Sequence, residues 1–210
     1  MCGEINFDDV ETYVNKYFSF EENRNNYNYI YYNEKKKDED YSYDSKFSQS
    51  SIAVLYDLDV YINDELYYPS VIFTEMFNYY LFKIVREEYN FCYSIYAVYM
   101  ASRGLCYLQS NIESKNYEMT LKLTNDIIEK LKNDIDEKVF DICKEKIINN
   151  MKKEVDNPVK LILKEQKRDI YNLDETDKLI ECCKNVSSEQ IKTVANRIEK
   201  KFSVILKEGK

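Results

Sequence analysis

The 210-residue chain contains no histidine. That absence removes Ser-His-Asp and Cys-His nucleophile activation, histidine general bases, and both the HExxH and HxxEH zinc sites. Glycine occurs only three times and proline twice, and neither GxGxxG nor GxxxxGK[ST] is present. Glycine-rich loops that cradle phosphates are thereby excluded. Positive charge is in deficit: the net charge of −8 argues against a nucleic-acid partner, which needs a basic face. No apolar run approaches the roughly 18 residues that span a bilayer. The start, MCGEINFDDVE, lacks the basic and apolar regions of a secretory signal, so the expected location is cytoplasmic, with no membrane partner. None of the six cysteines forms a CxxC pair, and no histidine can complete a Cys/His zinc site. They read as buried reduced thiols. Cys92 and Cys106 could face each other across a hairpin in an oxidising compartment, and vicinal Cys182 and Cys183 should send one thiol to the core and one to solvent.

What is present fits a folded protein: hydrophobic residues make up 44% and charged ones 32%. The length suits one large domain, or one domain with a fragment of another. Residues 2–5 read as a strand end. A helix follows, with Asn6 as N-cap, Asp8 and Asp9 in the first turn, and Val10, Tyr13, Val14 and Tyr17 as its apolar stripe. Residues 19–46 are rich in Asn, Tyr, Lys and acids without a sustained period; they read as a linker with one short strand at 29–32. From Ser51 to Ile62 the residues Ile52, Val54, Tyr56, Leu58, Val60 and Ile62 alternate with the rest, which is a strand. Asp57 and Asp59 fall on its other face, as a carboxylate pair or simply a solvated one. A helical pattern covers 66–85, with Pro69 tolerated in its first turn.

A hairpin follows. Phe91, Tyr93, Ile95, Ala97 and Tyr99 share one face, Ser102-Arg103-Gly104 turns the chain, and Leu105–Ile112 returns. The C-terminal half is helical, with apolar stripes at Tyr117–Leu131 and Val139–Val155, a helix from Pro158 to about Tyr171, and another near 175–183. Ser187-Ser188-Glu189-Gln190 is a capping box before the last helix, and FSVIL at 202–206 is a closing strand. The order β-α-β-β, then helices, then β, predicts an α+β fold: an antiparallel sheet covered on one face by helices.

At the helix-to-strand corner, VREEYNFCYSIYA sets Arg86 at the helix end and Tyr93 seven residues later in the strand. Two readings stand open. Arg86 caps the helix C-terminus, favoured by the dipole, and pairs with Glu87 or Glu88, while Tyr93 is one more strand tyrosine. Alternatively, the guanidinium donates charge-assisted hydrogen bonds to peptide carbonyls and the phenol donates one to a developing oxyanion.

This corner, the turn SRGLCYLQS, the helix NYEMTLKLTNDIIEKL and the segment NVSSEQIKTVANRI resemble the pitrilysin/insulinase family of metallopeptidases over about 50–207. The resemblance implies a protein of two similar mitochondrial-processing-peptidase-like halves that close around a peptide. One half carries the inverted zinc motif HxxEH. The other is metal-free and contributes an Arg and a Tyr seven residues apart, the positions that Arg86 and Tyr93 take here. On that resemblance residues 1–18 end a preceding homologous half, 19–46 link, and 47–210 form the metal-free C-terminal domain. The chain is then a substrate-binding half with no catalytic residue of its own and no metal. Its zinc is expected in a zinc-bearing N-terminal half or homologous partner subunit, and its ligand is a peptide. The family's glycine-rich loop is replaced here by Thr74–Leu81 without glycine, which motivates the alternative of a structural or assembly module with no role in proteolysis.

Overall fold

The computed structural model describes residues 6–18, 40–153 and 157–209. The expected strands at 2–5 and 29–32, and Val155 of the second helical stripe, lie outside the described residues. Helix α1 spans Phe7–Tyr17, and Asn6 caps it by accepting from the Asp8 N–H. The stretch read as linker ends in a short strand, β1 (Tyr41–Asp44). Then come β2 (Ser50–Asp57), α2 (Tyr67–Tyr80), a π-helical segment (Leu81–Glu88), β3 (Cys92–Met100) and β4 (Leu105–Ile112). Helices α3 (Tyr117–Asn133), α4 (Glu137–Lys153), α5 (Pro158–Tyr171), α6 (Thr176–Lys184) and α7 (Ser188–Arg197) precede β5 (Glu199–Lys207).

The five strands form one sheet in the order β1-β5-β2-β4-β3. β5, β2, β4 and β3 pair antiparallel, and β1 alone is parallel to its neighbour β5. The period-two pattern of β2 decides which face is covered. Ile52, Val54 and Tyr56 are buried beneath the helices, while Ala53 and Leu55 point the other way. α2, α3, α4 and α7 lie over this buried face, and Phe73, Phe77, Ile127, Leu131, Ile191 and Val194 close the core with it. Ser187 and Gln190 form the expected capping box that starts α7. The opposite face keeps half-buried or exposed apolar groups, among them Tyr96, Val98, Leu55, Phe202 and Val204.

The strand expected at 51–62 is shorter than its alternation suggests. It ends at Asp57, and Asp59 adopts a left-handed conformation (φ 49°) with its N–H donating to Asp57 Oδ1. Both Leu58 and Asp59 donate backbone N–H groups to the Gly104 carbonyl, so the chain leaves the sheet here. Asp57 instead lies within 3.6 Å of Lys201 Nζ, and the two aspartates are no carboxylate pair on one strand face. The hairpin turn falls at the expected place. Gly104 has φ +63°, and a Cβ there would meet the Tyr61 ring at 3.0 Å, so glycine is needed on both counts.

The cysteine pair across the hairpin does not exist. Cys92 pairs in register with Ile112 and Cys106 with Tyr99, so the two sit at different heights along the ladder. Both are free and buried, and burial pushes the Cys106 thiol up to about 12. Cys183 is buried and Cys182 exposed, as their adjacency on a helix requires.

Candidate functional site

The helix that carries Arg86 is not one continuous α-helix over 66–85. α2 gives way after Tyr80 to eight residues of π-helix, Leu81–Glu88. Wider π turns are rare and recur where a helix must re-aim a side chain. The segment ends with Tyr89 N–H donating to the Ile84 carbonyl and Phe91 N–H to that of Val85, around Asn90 in the left-handed conformation (φ 52°). Asparagine tolerates that conformation better than most residues. The corner therefore turns sharply from helix into β3.

Tyr93 does not share a face with Ile95 and Ala97. The ladder between β3 and β4 is irregular between Cys92 and Ile95. A bulge adds a residue, so buried positions fall at Cys92, Ile95 and Ala97 rather than at strict alternates. Tyr93 is thrown outward and is 86% exposed. The bulge aims the phenol at whatever approaches the corner.

Arg86 and Tyr93 come together in space. The guanidinium carbon lies 5.5 Å from the centroid of the Tyr93 ring and 4.5 Å from that of Phe82. Two aromatic faces thus hold the planar cation by cation–π attraction, worth about 0.5–1 kcal/mol each at an exposed site. Among the described residues no ion pair joins Arg86 to Glu87 or Glu88, and no side-chain hydrogen bond caps the helix from Arg86. The half-buried guanidinium is held in place by these rings, and a guanidinium offers a planar fork of N–H donors that matches a carbonyl or carboxylate. Burial pushes the Cys92 thiol pKa up, an effect offset in part by a hydrogen bond with Ser110 and by the charge of Arg86.

Sequence reasoning missed Asn78. From α2 its side-chain amide Nδ2 donates to the Ala97 carbonyl (2.9 Å), while the Ala97 N–H donates to Asn78 Oδ1 (2.6 Å). A polar residue in a helix facing the outermost strand is the only local signal it leaves. The stretch Thr74–Leu81, where the resemblance calls for a glycine loop, is helical, with Thr74, Met76, Phe77, Tyr80 and Leu81 buried.

No group of three or more Cys, Asp or Glu that could hold a metal ion occurs among the described residues.

The family model for the peptidase M16 inactive domain matches residues 1–147, more than half of the chain. The chain belongs to the peptidase M16 inactive-domain family. Solved structures agree on the fold of this M16 domain. A conserved protein from Enterococcus faecalis V583 superposes with a TM-score of 0.80 at 22% identity, over 86% of this chain and 44% of its own. A peptidase M16 inactive domain from Pseudomonas fluorescens superposes with a TM-score of 0.68 at 19% identity, over 83% of this chain and 44% of its own. The periplasmic protease PqqL from Escherichia coli gives 0.66 at 12%, over 82% of this chain and 21% of its own. The M16 domain here thus spans less than half the length of these relatives. No curated protein matches it. No helix among the described residues is long and apolar enough to cross a membrane.

Proposed function

We propose that this M16 domain is the non-catalytic, zinc-lacking half of a peptidase of the pitrilysin/insulinase type. It binds peptide in a chamber shared with a zinc-bearing half or partner subunit. Arg86 grips a substrate carbonyl and Tyr93 donates to the oxyanion that zinc-activated water creates in the partner. The observation that carries this reading is the corner itself: a bulge exposes Tyr93 beside a guanidinium stacked on two rings with no ion-pair partner among the described residues. In this reading 1–18 belong to the end of a preceding half, 19–46 connect, and 47–210 are the peptide-binding domain. The partner half rests on the open sheet face, where Tyr96 (42% exposed), Val98 and Tyr43 would otherwise stay wet. Free, reduced cysteines suit a cytoplasmic setting.

The test reconstitutes the chain with its HxxEH-bearing partner and follows peptide hydrolysis. Tyr93→Phe should lower kcat by about 10²–10³, as loss of one oxyanion donor does, and Arg86→Ala should lower kcat/KM. Unchanged kinetics in both variants would sink these roles. A second reading, an assembly module that keeps the fold without handling peptide, is favoured by one observation. The helical, buried stretch Thr74–Leu81 presents no glycine backbone to a ligand. Under it the same variants cleave normally, while removal of the whole chain dissolves the complex.

A further inference from the structure

β3 is an outermost strand of the sheet. In an antiparallel ladder, residues alternate between pairs that exchange hydrogen bonds and pairs whose N–H and C=O groups point away. Ala97 points away, because both of its backbone groups are taken by Asn78. By the same alternation, Ile95 and Tyr99, two residues to either side, also aim their backbone groups outward. Among the described residues no side chain, and no backbone group of a turn or loop, bonds to the backbone of Ile95 or Tyr99; the Tyr99 hydroxyl donates to the Val60 carbonyl. The edge therefore carries three outward positions, of which only the middle one is filled, and by a primary amide that imitates one peptide unit of a neighbouring strand.

Space exists on both sides of that amide. A cleft of about 460 Å³ lies along Ala97, Val98 and Tyr99, bounded by Val71, Thr74 and Ile147. A second of about 620 Å³ lies along Ile95 and Tyr96, bounded by Tyr79, Phe82 and Ile142. Asn78 lines both. Glu75, which also borders both clefts, is ion-paired to Lys146 of α4. A strand sits about 4.8 Å from its neighbour, and every second side chain of an added strand would face the helix side, where the two clefts follow one another along the edge.

We propose that the outer edge of β3 is a binding site for an extended polypeptide. The peptide pairs with Ile95, Ala97 and Tyr99 by strand addition, and Asn78 holds the site closed until the peptide replaces its amide. Unpaired edges are templates that proteins ordinarily block, and here the block is one side chain on a rotatable stem. The choice of a peptide as ligand class rests on the proposed function; the geometry of the edge does not. A peptide on this edge continues, about 13 Å along β3 from Ala97, to the bulge and the Arg86–Tyr93 corner.

The prediction has an unusual sign: removing a polar contact strengthens binding. The probe is a fluorescein-labelled peptide alternating Thr and Val with Lys at both ends, titrated against the whole chain by fluorescence anisotropy. Asn78→Ala should tighten binding roughly five- to thirtyfold, the equivalent of no longer displacing one or two neutral hydrogen bonds. The same peptide N-methylated at alternate residues cannot pair and should not bind any form. In the wild type, peptide addition should shift and protect the amide protons of Ile95 and Tyr99 by NMR, a readout that needs no variant to fold. Equal or weaker binding by a folded Asn78→Ala chain, binding of the N-methylated peptide, or unmoved Ile95 and Tyr99 amides would each overturn the site. If the Asn78 response holds while Arg86 and Tyr93 variants cleave normally, the edge site stands and the proposed function falls; the converse result separates them the other way.

Discussion

The two faces of the sheet are built from the same strands and live under different rules. On the covered face Ile52, Val54, Tyr56, Cys106 and Leu108 are all but inaccessible, and α2, α3 and α7 interlock over them. On the open face Leu55, Tyr107, Phe202, Val204 and Leu206 are apolar too, yet half-exposed, with Val98 and Tyr96 more exposed still. Hydrophobic pattern alone does not separate the faces, because both are apolar. Helix cover does. One face supplies the stability of the domain; the other leaves apolar area half-exposed, the surface on which the proposed partner half would rest.

Phe77→Ala would break the comparison on its strong side. Phe77 is fully buried, stacks against Phe73 at 6.0 Å and meets the edge of Tyr56 at 6.3 Å. Its loss removes a large apolar volume from a site hemmed by α2 and β2. A destabilisation of about 3–5 kcal/mol is expected, read as a drop in the urea midpoint with the slope unchanged. Val204→Lys tests the weak side. Val204 lies between Tyr41 and Ala53 in register on the half-exposed face, where a lysine stem can lie along the sheet with its ammonium in water. The isolated chain should lose less than about 1 kcal/mol, while association with a partner half is abolished. A large stability loss in the isolated chain would mean that the open face also supplies stability.

The order of elements was readable because it rests on local periods. Alternation at Ile52–Tyr56, the Ser187–Gln190 capping box and the Gly104 turn each need only a few neighbouring residues, and all three stand in the structure. The candidate site was readable in part. The Arg86 guanidinium and the Tyr93 ring, seven residues apart, lie 5.5 Å from each other, but the face of Tyr93 was misjudged. A period-two reading assumes an unbroken ladder, and one extra residue between Cys92 and Ile95 turns Tyr93 to the other side. The π-helical segment failed for the same reason, since a helical stripe read at 3.6 residues per turn contains no sign of a wider turn. Asn78 was invisible for another: its contact with Ala97 joins residues 19 apart in sequence, and nothing local in a helix announces a bond to an outer strand. Asp59 shows the opposite error, where alternation ran on past the point at which the Gly104 carbonyl takes the chain off the sheet.

The smallest expected effect lies at the other edge of the sheet, where β1 holds on by four residues parallel to β5. Asp40, just before β1, staples it. Both carboxylate oxygens accept from Lys200 Nζ at 2.8 Å, and Oδ1 also accepts from the Ser203 N–H (2.8 Å) and hydroxyl (2.6 Å). Burial pushes the Asp40 carboxyl up, but the hydrogen bonds from Lys200 and Ser203 outweigh it and hold the group below its usual range. Because the depressed value belongs to the docked state, protons bind preferentially when β1 is detached. The staple is therefore at full strength above the ordinary carboxylate pKa of about 3.9, and it is lost as pH falls through that value into the lower one of the folded chain. Tyr41 reports the change, since its ring meets that of Phe202 edge-on at 6.1 Å. Between pH 6 and pH 3 the Tyr41 ring resonances should move toward free-tyrosine shifts while the core methyls of Ile52 and Val54 stay in place. Asp40→Asn keeps an acceptor but no charge, so its Tyr41 shifts should already lie part-way and show no acid step. An acid step of the same size in that variant would assign the transition to another carboxylate, and would leave β1 held by its backbone ladder alone.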